Sequence, residues 1–468
     1  MKVYPSSAIL TGLFLISFST FAQNGEKVYK MYCMGCHGTD LKGTPAGTSL
    51  LAENLKYGND PADISKSISN GIPNTTMISW SDALPAHEIG ELTDYIFGVR
   101  KSQPTQGNSA ETLTLSTQDY TLKVEKLVTE GLVFPWGIEF VDAHRALISG
   151  NKGELYWVVD GKLDPKRVTG LPFIYGTDLV GGMMDLALDP RYSENGWIYF
   201  AFSHNPKNTA DKTSPAMTKV VRGKIKEYQW VEQETLFEAP DSLLVVGGTR
   251  WGSRLLFDNE GYLYFTTGDM QQSIAEGNNP QLPSRAEGKI FRIYPDGSIP
   301  KDNPYFGKEG TLQGIYAVGT RNVQGLAQHP MTGEIYFTDH GPKGGDEVNR
   351  LKKGGNYGWP VITYGENYGG GKLGEGTAKA GMEQPLHYWV PSIAPSGMAF
   401  LTSTRYGPAW QGSLFIGSLK FGTLHRLEVA GDKVQREEKL LQGNGERIRD
   451  VRQGPDGLLY MVTDSPQG

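Results

Sequence analysis

Residues 255–265 read Leu255-Leu256-Phe257-Asp258-Asn259-Glu260-Gly261-Tyr262-Leu263-Tyr264-Phe265. An apolar run, a turn carrying Asp, a glycine and a second alternating apolar run form the pattern of a two-stranded hairpin. The same pattern stands at Leu186…Gly196-Trp197-Ile198-Tyr199-Phe200 and at Leu326…Gly333-Glu334-Ile335-Tyr336-Phe337. It returns at Met398…Gly412-Ser413-Leu414-Phe415-Ile416 and at Val451…Gly457-Leu458-Leu459-Tyr460-Met461. A copy at Ile138-Glu139-Phe140 lacks the glycine. Each copy leaves room for two more strands before the next. Six four-stranded sheets around an axis, a six-bladed β-propeller, are therefore expected. A β-sandwich would not repeat one hairpin in this way. Eight residues past each repeat glycine stand His204, Asp269, Gly341, Lys420 and Ser465. Equivalent positions in equivalent blades lie on one ring, so a site is expected at one mouth of the propeller.

Composition agrees. The 468 residues include 60 glycines, and apolar residues make up 38%. Glycine at nearly twice its usual share suits short strands and tight turns, and the apolar content excludes disorder as the overall state. The net charge of −6 comes with no block of basic residues, which argues against a nucleic-acid partner.

Outward to the N-terminus, Met1-Lys2-Val3 precedes an apolar run from Ala8 to Phe18 and then Thr20-Phe21-Ala22. A charged start, a short apolar region and a small-x-small site predict a signal peptide over 1–22. The run is too short to span a bilayer. The mature chain is expected to start near Gln23, exported to the periplasm or secreted, without a membrane span.

The two cysteines of the chain lie in Cys33-Met34-Gly35-Cys36-His37. C-x-x-C-H is the attachment pattern of c-type haem: each thiol adds to a vinyl group and the imidazole binds the iron. A thioredoxin-like pair would need a βαβ setting, and the flanks here read as helical and polar. Met77 stands where the sixth ligand of a small cytochrome c belongs, although a buried core methionine fits the position too. Pro85 to Lys101 reads as a closing helix with Ile89, Leu92, Ile96 and Val99 on one face. Residues 23–101 thus resemble a small all-α class I cytochrome c domain. Residues 102–118, rich in Ser, Thr, Gln, Gly and Asn, read as a solvated linker or a surface loop. The propeller is expected over 119–468.

Several propeller segments carry chemistry: Gly319-Thr320-Arg321-Asn322-Val323-Gln324-Gly325, His340-Gly341-Pro342-Lys343-Gly344-Gly345-Asp346-Glu347, Gly354-Gly355-Asn356-Tyr357-Gly358-Trp359-Pro360, Ser418-Leu419-Lys420 and Glu446-Arg447-Ile448-Arg449-Asp450. Arg321, Lys420, Arg447 and Arg449 come from three repeats and can converge only at the axis. Converging cations suit a planar polycarboxylate. The Gly341 and Pro342 carbonyls, with Glu347 nearby, are hard oxygen donors suited to Ca²⁺. The other reading of these cations is a set of scattered surface ion pairs, each worth little.

These segments, with Gly288-Lys289-Ile290-Phe291-Arg292-Ile293, Asp296-Gly297-Ser298-Ile299-Pro300-Lys301-Asp302-Asn303-Pro304 and Ser392-Ile393-Ala394-Pro395-Ser396-Gly397-Met398-Ala399-Phe400, resemble the glucose/sorbosone dehydrogenase family of soluble quinoprotein sugar dehydrogenases. The resemblance implies a six-bladed propeller holding pyrroloquinoline quinone (PQQ) and Ca²⁺. It implies that Arg321, Asn322, Lys420, Arg447 and Arg449 hold PQQ and that the Gly341 and Pro342 carbonyls hold the Ca²⁺ that polarises the quinone. Glu347 and Tyr357 would bind a second Ca²⁺. Two positions depart from the family. Arg250 stands where the family's general base, a His, belongs, and an arginine stays protonated. Val180 replaces a Gln. Either His204, Asp178 or Asp269 serves as base, or the substrate differs, or the propeller no longer catalyses. Arg250 could instead pair with an anionic substrate or with PQQ. The chain stops at Asp464-Ser465-Pro466-Gln467-Gly468, where relatives usually add one strand, so either the last blade lacks it or the gene is cut short.

The expected whole is an exported quinoprotein dehydrogenase of an aldose, related sugar or alcohol, passing electrons through its own haem c to a periplasmic acceptor. A silent propeller that carries the cytochrome to a sugar or protein, or a purely structural one, are the alternatives.

Overall fold

The computed structural model describes residues 18–102 and 112–465, apart from 40, 45–46, 52–54, 56, 59, 73–74, 76, 82, 177–180, 271–277 and 444–445. The chain divides into two compact units, Met1–Ser109 and Ala110–Gly468.

The first unit holds four helices: α1 (Phe18–Tyr32), α2 (Met34–His37), α3 (Pro61–Asn70) and α4 (Ala86–Ser102). Pro61 opens α3, where its fixed φ suits a first turn and its missing N–H costs nothing. Ile64 and Ile68, one turn apart on α3, meet Tyr29 of α1 and Ile89, Leu92 and Ile96 of α4 in one core. The helix expected over 85–101 is α4. Helices α1 and α4 cross closely: a Cβ on Gly25 would stand 2.1 Å from the Glu91 carbonyl oxygen. Most of the expected signal peptide lies outside the described residues, and α1 runs through its cleavage point after Ala22. No helix among the described residues is long and apolar enough to cross a membrane.

The second unit opens with a hairpin, β1 (Thr112–Ser116) and β2 (Thr121–Glu125). The end of the stretch expected as linker is thus a strand. Five antiparallel four-stranded sheets follow in chain order. The first is β3–β6 (Pro135–Phe140, Arg145–Gly150, Glu154–Val159, Lys162–Leu163). The second is β7–β10 (Met183–Leu188, Ile198–His204, Met217–Lys226, Gln229–Phe237). The third is β11–β14 (Gly252–Phe257, Leu263–Thr267, Lys289–Ile293, Ile315–Val318). The fourth is β15–β18 (Val323–Gln328, Ile335–Asp339, Asp346–Arg350, His387–Trp389). The fifth is β19–β22 (Pro395–Phe400, Leu414–Ser418, Leu424–Ala430, Lys433–Leu440). A two-stranded sheet, β23 (Ile448–Gln453) and β24 (Leu459–Thr463), comes last.

The expectation of six four-stranded blades is therefore corrected to five. The repeat counted hairpins, and the sixth hairpin carries no further strands among the described residues. The ring still closes, because β3, β7, β11, β15, β19 and β23 touch in cyclic order. Each junction buries an apolar cluster. Between the second and third sheets, Tyr199, Leu255, Phe265 and Phe291 pack, and the two phenylalanine rings stack at 4.7 Å. Between the last hairpin and the first sheet, Val462 meets Ile138, Ile148 and Tyr156. Burying a side chain of this size contributes about 1.5–3 kcal/mol, so a sheet covered on both faces is held by its neighbours as much as by its ladders.

A lysine is enclosed in this packing. Lys289 of β13 is fully buried, its Nζ donating to the carbonyls of Asn279 (2.9 Å), Pro280 (3.0 Å) and Glu287. Burial pulls its pKa down to about 7. Between that value and the ordinary 10.5 of a free lysine, the unfolded chain holds a proton that the folded chain lacks, so stability from this group rises with pH. Urea midpoints of the wild type and Lys289→Met, taken at about pH 6.5 and 9.5, should show the wild type gaining on the variant at the higher pH.

Candidate functional site

The hairpin registers, carried one or two steps past the strands, set the functional residues opposite one another. Gly181 faces His204, Arg250 faces Asp269 and Arg321 faces Gly341. Ile393 faces Lys420, and Arg447 faces Asp464. Four of the ring positions read from the repeat, His204, Asp269, Gly341 and Lys420, thus stand at the open ends of these hairpins, while at the last hairpin the facing residue is Asp464, one short of the expected Ser465.

The open ends of the third and fourth sheets join. Arg250 Nε donates to Asp269 Oδ1 at 2.6 Å and Nη2 to Oδ2 at 3.1 Å, a two-pronged ion pair. The Trp359 indole N–H donates to the same Oδ2 at 2.8 Å. Asp269 N–H donates to the Arg321 carbonyl at 2.8 Å, and the Arg321 guanidinium lies 5.2 Å from the Trp359 ring centre. Asp339 accepts from the backbone N–H groups of Arg321 (2.8 Å) and Asn322 (2.6 Å). Asn322 Oδ1 accepts from Gly252 N–H at 3.1 Å, tying β11 to β15. Burial is the main cause that lifts the Asp339 carboxyl to about 7, and these two donors oppose it. Burial, followed by the nearby Arg250 charge, holds the Arg321 guanidinium below its ordinary value.

His340 links this group to the fifth sheet. Its Nε2 lies 2.6 Å from the Pro395 carbonyl. Burial drives its pKa down to about 4, with Arg321 and Arg449 both adding to the effect, so the ring is neutral. Arg449 donates to Gln324 Oε1 (3.1 Å) and Asp464 Oδ2 (2.9 Å), and Arg447 shares that Asp464 oxygen at 3.0 Å. Lys420 occupies the same register position but is exposed, 5.0 Å from the Phe421 ring centre.

Four of the five PQQ residues expected from the sequence therefore belong to two neighbouring groups linked through Gln324, which donates to Asn322 Oδ1 (3.3 Å) and accepts from Arg449. Two of the arginines keep an unused donor: among the described residues Arg321 Nε and Arg449 Nε are buried without a hydrogen-bond partner, as are Thr320 Oγ1 and Trp251 Nε1. Buried donors left open are costly, about 1–3 kcal/mol each, so a site full of them fits an anionic, acceptor-rich ligand. Among the described residues no hydrogen bond reaches the Gly341 or Pro342 carbonyl oxygens, which leaves both free for a cation. Gly341 N–H donates to Asp346 Oδ1 at 2.9 Å, and any Cβ on Gly341 would meet the Gly344 carbonyl at 2.2 Å. The Tyr357 hydroxyl is committed to the Arg350 carbonyl (2.7 Å) and Lys352 N–H (2.8 Å), while the Glu347 carboxyl accepts from Asn349 at 2.9 Å. No cluster of three or more His, Cys, Asp or Glu that could hold a metal occurs among the described residues.

Of the possible bases, Asp269 is locked in the Arg250 pair, and Asp178, like Val180, lies outside the described residues. His204 Nε2 lies 2.9 Å from Glu238 Oε1, and burial holds its pKa below the ordinary value.

Behind the mouth, five buried or half-buried charges from four first strands interlock. Arg254 Nη1 meets Asp450 at 2.8 Å and Asp185 at 3.4 Å, and its guanidinium lies 4.2 Å from the Trp136 ring centre. Arg452 meets the same two acids at 3.1 and 3.3 Å and Glu139 at 3.4 Å. The sequence reading missed this cluster, as it missed Trp359, His340 and Asp464.

In the first unit, Cys33 and Cys36 are free thiols, one just before and one on α2, and burial pushes the Cys33 thiol up to about 11. His37 Nδ1 lies 2.8 Å from the Thr48 carbonyl. That bond places the proton on Nδ1 and leaves the Nε2 lone pair open to a metal. Met77 packs half-buried against the same core. These residues fit a haem.

Residues 132–468 match the family model described as Glucose / Sorbosone dehydrogenase, and residues 20–96 match the one described as Cytochrome C oxidase, cbb3-type, subunit III. Aldose sugar dehydrogenase YliI of Escherichia coli is 38% identical over 358 residues, which cover 74% of this chain and 91% of that protein. The solved apo structure of the soluble aldose sugar dehydrogenase of Escherichia coli aligns with a TM-score of 0.67 at 36% identity, over 73% of this chain and 96% of that one. The PQQ-bound aldose sugar dehydrogenase of Streptomyces coelicolor aligns with a TM-score of 0.58 at 26% identity, over 77% of this chain and 94% of that one. The buried arginine site and these matches lead to one conclusion: the chain belongs to the glucose/sorbosone dehydrogenase family and carries a cytochrome c domain in front of its propeller.

Proposed function

We propose that this protein is an exported, PQQ-dependent dehydrogenase of an aldose or related sugar, with a covalent haem c as its own electron acceptor. The observation that carries the reading is the pair of open donors on Arg321 and Arg449. Both guanidiniums are buried, neither has its Nε satisfied among the described residues, and they come from different parts of the ring. Arg321, Asn322, Arg447, Arg449 and Lys420 would bind the cofactor's carboxylates and quinone oxygens, and the Gly341 and Pro342 carbonyls would hold Ca²⁺ beside it. When bound, PQQ supplies a two-electron acceptor for hydride, and haem supplies a one-electron carrier. The chain's own residues orient and dehydrate the site: His340 stays neutral between two arginines, and Trp359 closes against Asp269. Cys33 and Cys36 would attach the haem, with His37 and Met77 as axial ligands. A tether between the two units raises the effective concentration of one centre near the other.

One observation favours a second reading, a propeller that binds without catalysing. At the family's base position stands the Arg250–Asp269 pair, in which neither partner is free to take a proton, and loss of a general base costs about 10²–10⁴-fold in rate.

Visible spectra of the purified haem protein decide between them. On adding PQQ, Ca²⁺ and then an aldose, the haem should become reduced only when all three are present. Tight PQQ uptake with no reduction by any of a panel of aldoses, sugar acids and simple alcohols would establish the binding module instead. No PQQ uptake would reject the dehydrogenase.

A further inference from the structure

We propose that Arg250 is a specificity residue which seats the carboxylate of an acidic sugar, such as a uronate or aldonate, in the mouth of the propeller. The inference rests on the dehydrogenase reading and names the substrate class of that same site.

A guanidinium has two usable edges. Arg250 spends one of them, Nε and Nη2, on Asp269. Among the described residues its Nη1 has no partner. The Arg250 side chain is 18% exposed and that of Asp269 only 1%, so the opening meets the cation and not the acid behind it. Trp359 holds the Asp269 carboxylate from a further direction, which fixes the fork before any ligand arrives.

Two further acids of the mouth, Asp339 and Asp464, are already committed among the described residues. Asp339 is taken by two backbone N–H groups, and Asp464 by Arg447 and Arg449. Arg321 is near enough for its charge and that of Arg250 to act on each other, and among the described residues no carboxylate pairs with the Arg321 side chain. Arg250 and Arg321 therefore set two neighbouring positive charges at the mouth. A neutral sugar offers hydroxyls, which bond a guanidinium weakly after desolvation. A carboxylate offers a charged acceptor of matching shape.

The test uses the full chain and two sugars of the same ring, D-glucuronate and D-glucose. Binding is read from the fluorescence of the indoles, with Trp359 in contact with the pair, and by calorimetry, each with and without PQQ and Ca²⁺. Wild-type protein should bind glucuronate about ten- to a hundredfold more tightly than glucose, the range expected of one charge-assisted bond. The preference should shrink with added salt. In Arg250→Gln/Asp269→Asn, which removes the pair without leaving a buried unpaired carboxylate, the preference should vanish while PQQ uptake persists. The single variant Arg250→Lys keeps the charge but not the fork and should retain only part of it.

Equal binding of the two sugars by the wild type would overturn the proposal, as would a preference that survives in the double variant. Loss of PQQ uptake in the double variant would assign Arg250 to the cofactor and overturn it as well. Failure of the wild type to take up PQQ would reject the dehydrogenase reading. The glucuronate preference of the PQQ-free chain would still decide the role of Arg250.

Discussion

Arg254→Met should cost the propeller about 3–5 kcal/mol, the range for removing one partner from a buried ion cluster. Arg254 is 1% exposed and lies between Asp185 and Asp450, both at 0%. Methionine fills much of the same volume, so the loss comes from charge and not from a cavity. The remaining Arg452 must then answer two carboxylates and Glu139 alone. Arg254 also donates through Nη2 to the Arg449 carbonyl (3.0 Å), so a residue expected to bind cofactor loses its support. Guanidinium denaturation of the variant gives the number. A companion with Asp185→Asn and Asp450→Asn added should recover most of the loss, because the orphaned charges are gone. A loss under about 1 kcal/mol would mean that the cluster is solvated and that its geometry carries little energy.

The double variant Arg321→Gln/Arg449→Gln should bind PQQ about 10²- to 10⁴-fold more weakly. Each lost charge-assisted bond is worth about 1.5–3 kcal/mol, and two of them give that range. The fold should survive. Asp464 keeps Arg447 at 3.0 Å, and Asp339 is held by backbone N–H groups that the substitutions do not touch. An absorbance titration with PQQ, beside a thermal melt of the PQQ-free protein, separates affinity from stability. Unchanged affinity would show that the open Nε donors point away from the ligand.

The propeller was legible because its hairpins are local. A glycine, a turn and an alternating run lie within about ten residues, and the register that follows is set by that turn. The strands that complete each blade lack such a signature, and so the sixth blade was overcounted. The cationic residues were legible as types but their partners were not. Arg447 and Asp464 could have been paired from the hairpin register, since the two stand opposite past Ile448 and Thr463. The same reasoning would have put Arg250 against Asp269 and withdrawn both as free bases. Arg254 and Asp450 could not have been paired: they lie on different sheets and meet only once the ring exists. Trp359 was within a quoted segment, but only packing reveals that its indole serves Asp269.

The closed ring has a kinetic consequence. Contact between β23 and β3, including the bond from Ile138 N–H to Asp450 (3.3 Å), joins residues 312 positions apart. In an open array of repeats each unit can fold on its neighbour and fray from an end. Here the first sheet keeps one bare flank until the final hairpin arrives, so folding is completed late and from distant pieces. Amide hydrogens on the six first strands should then exchange together, by opening of the whole ring, and at one rate under denaturant.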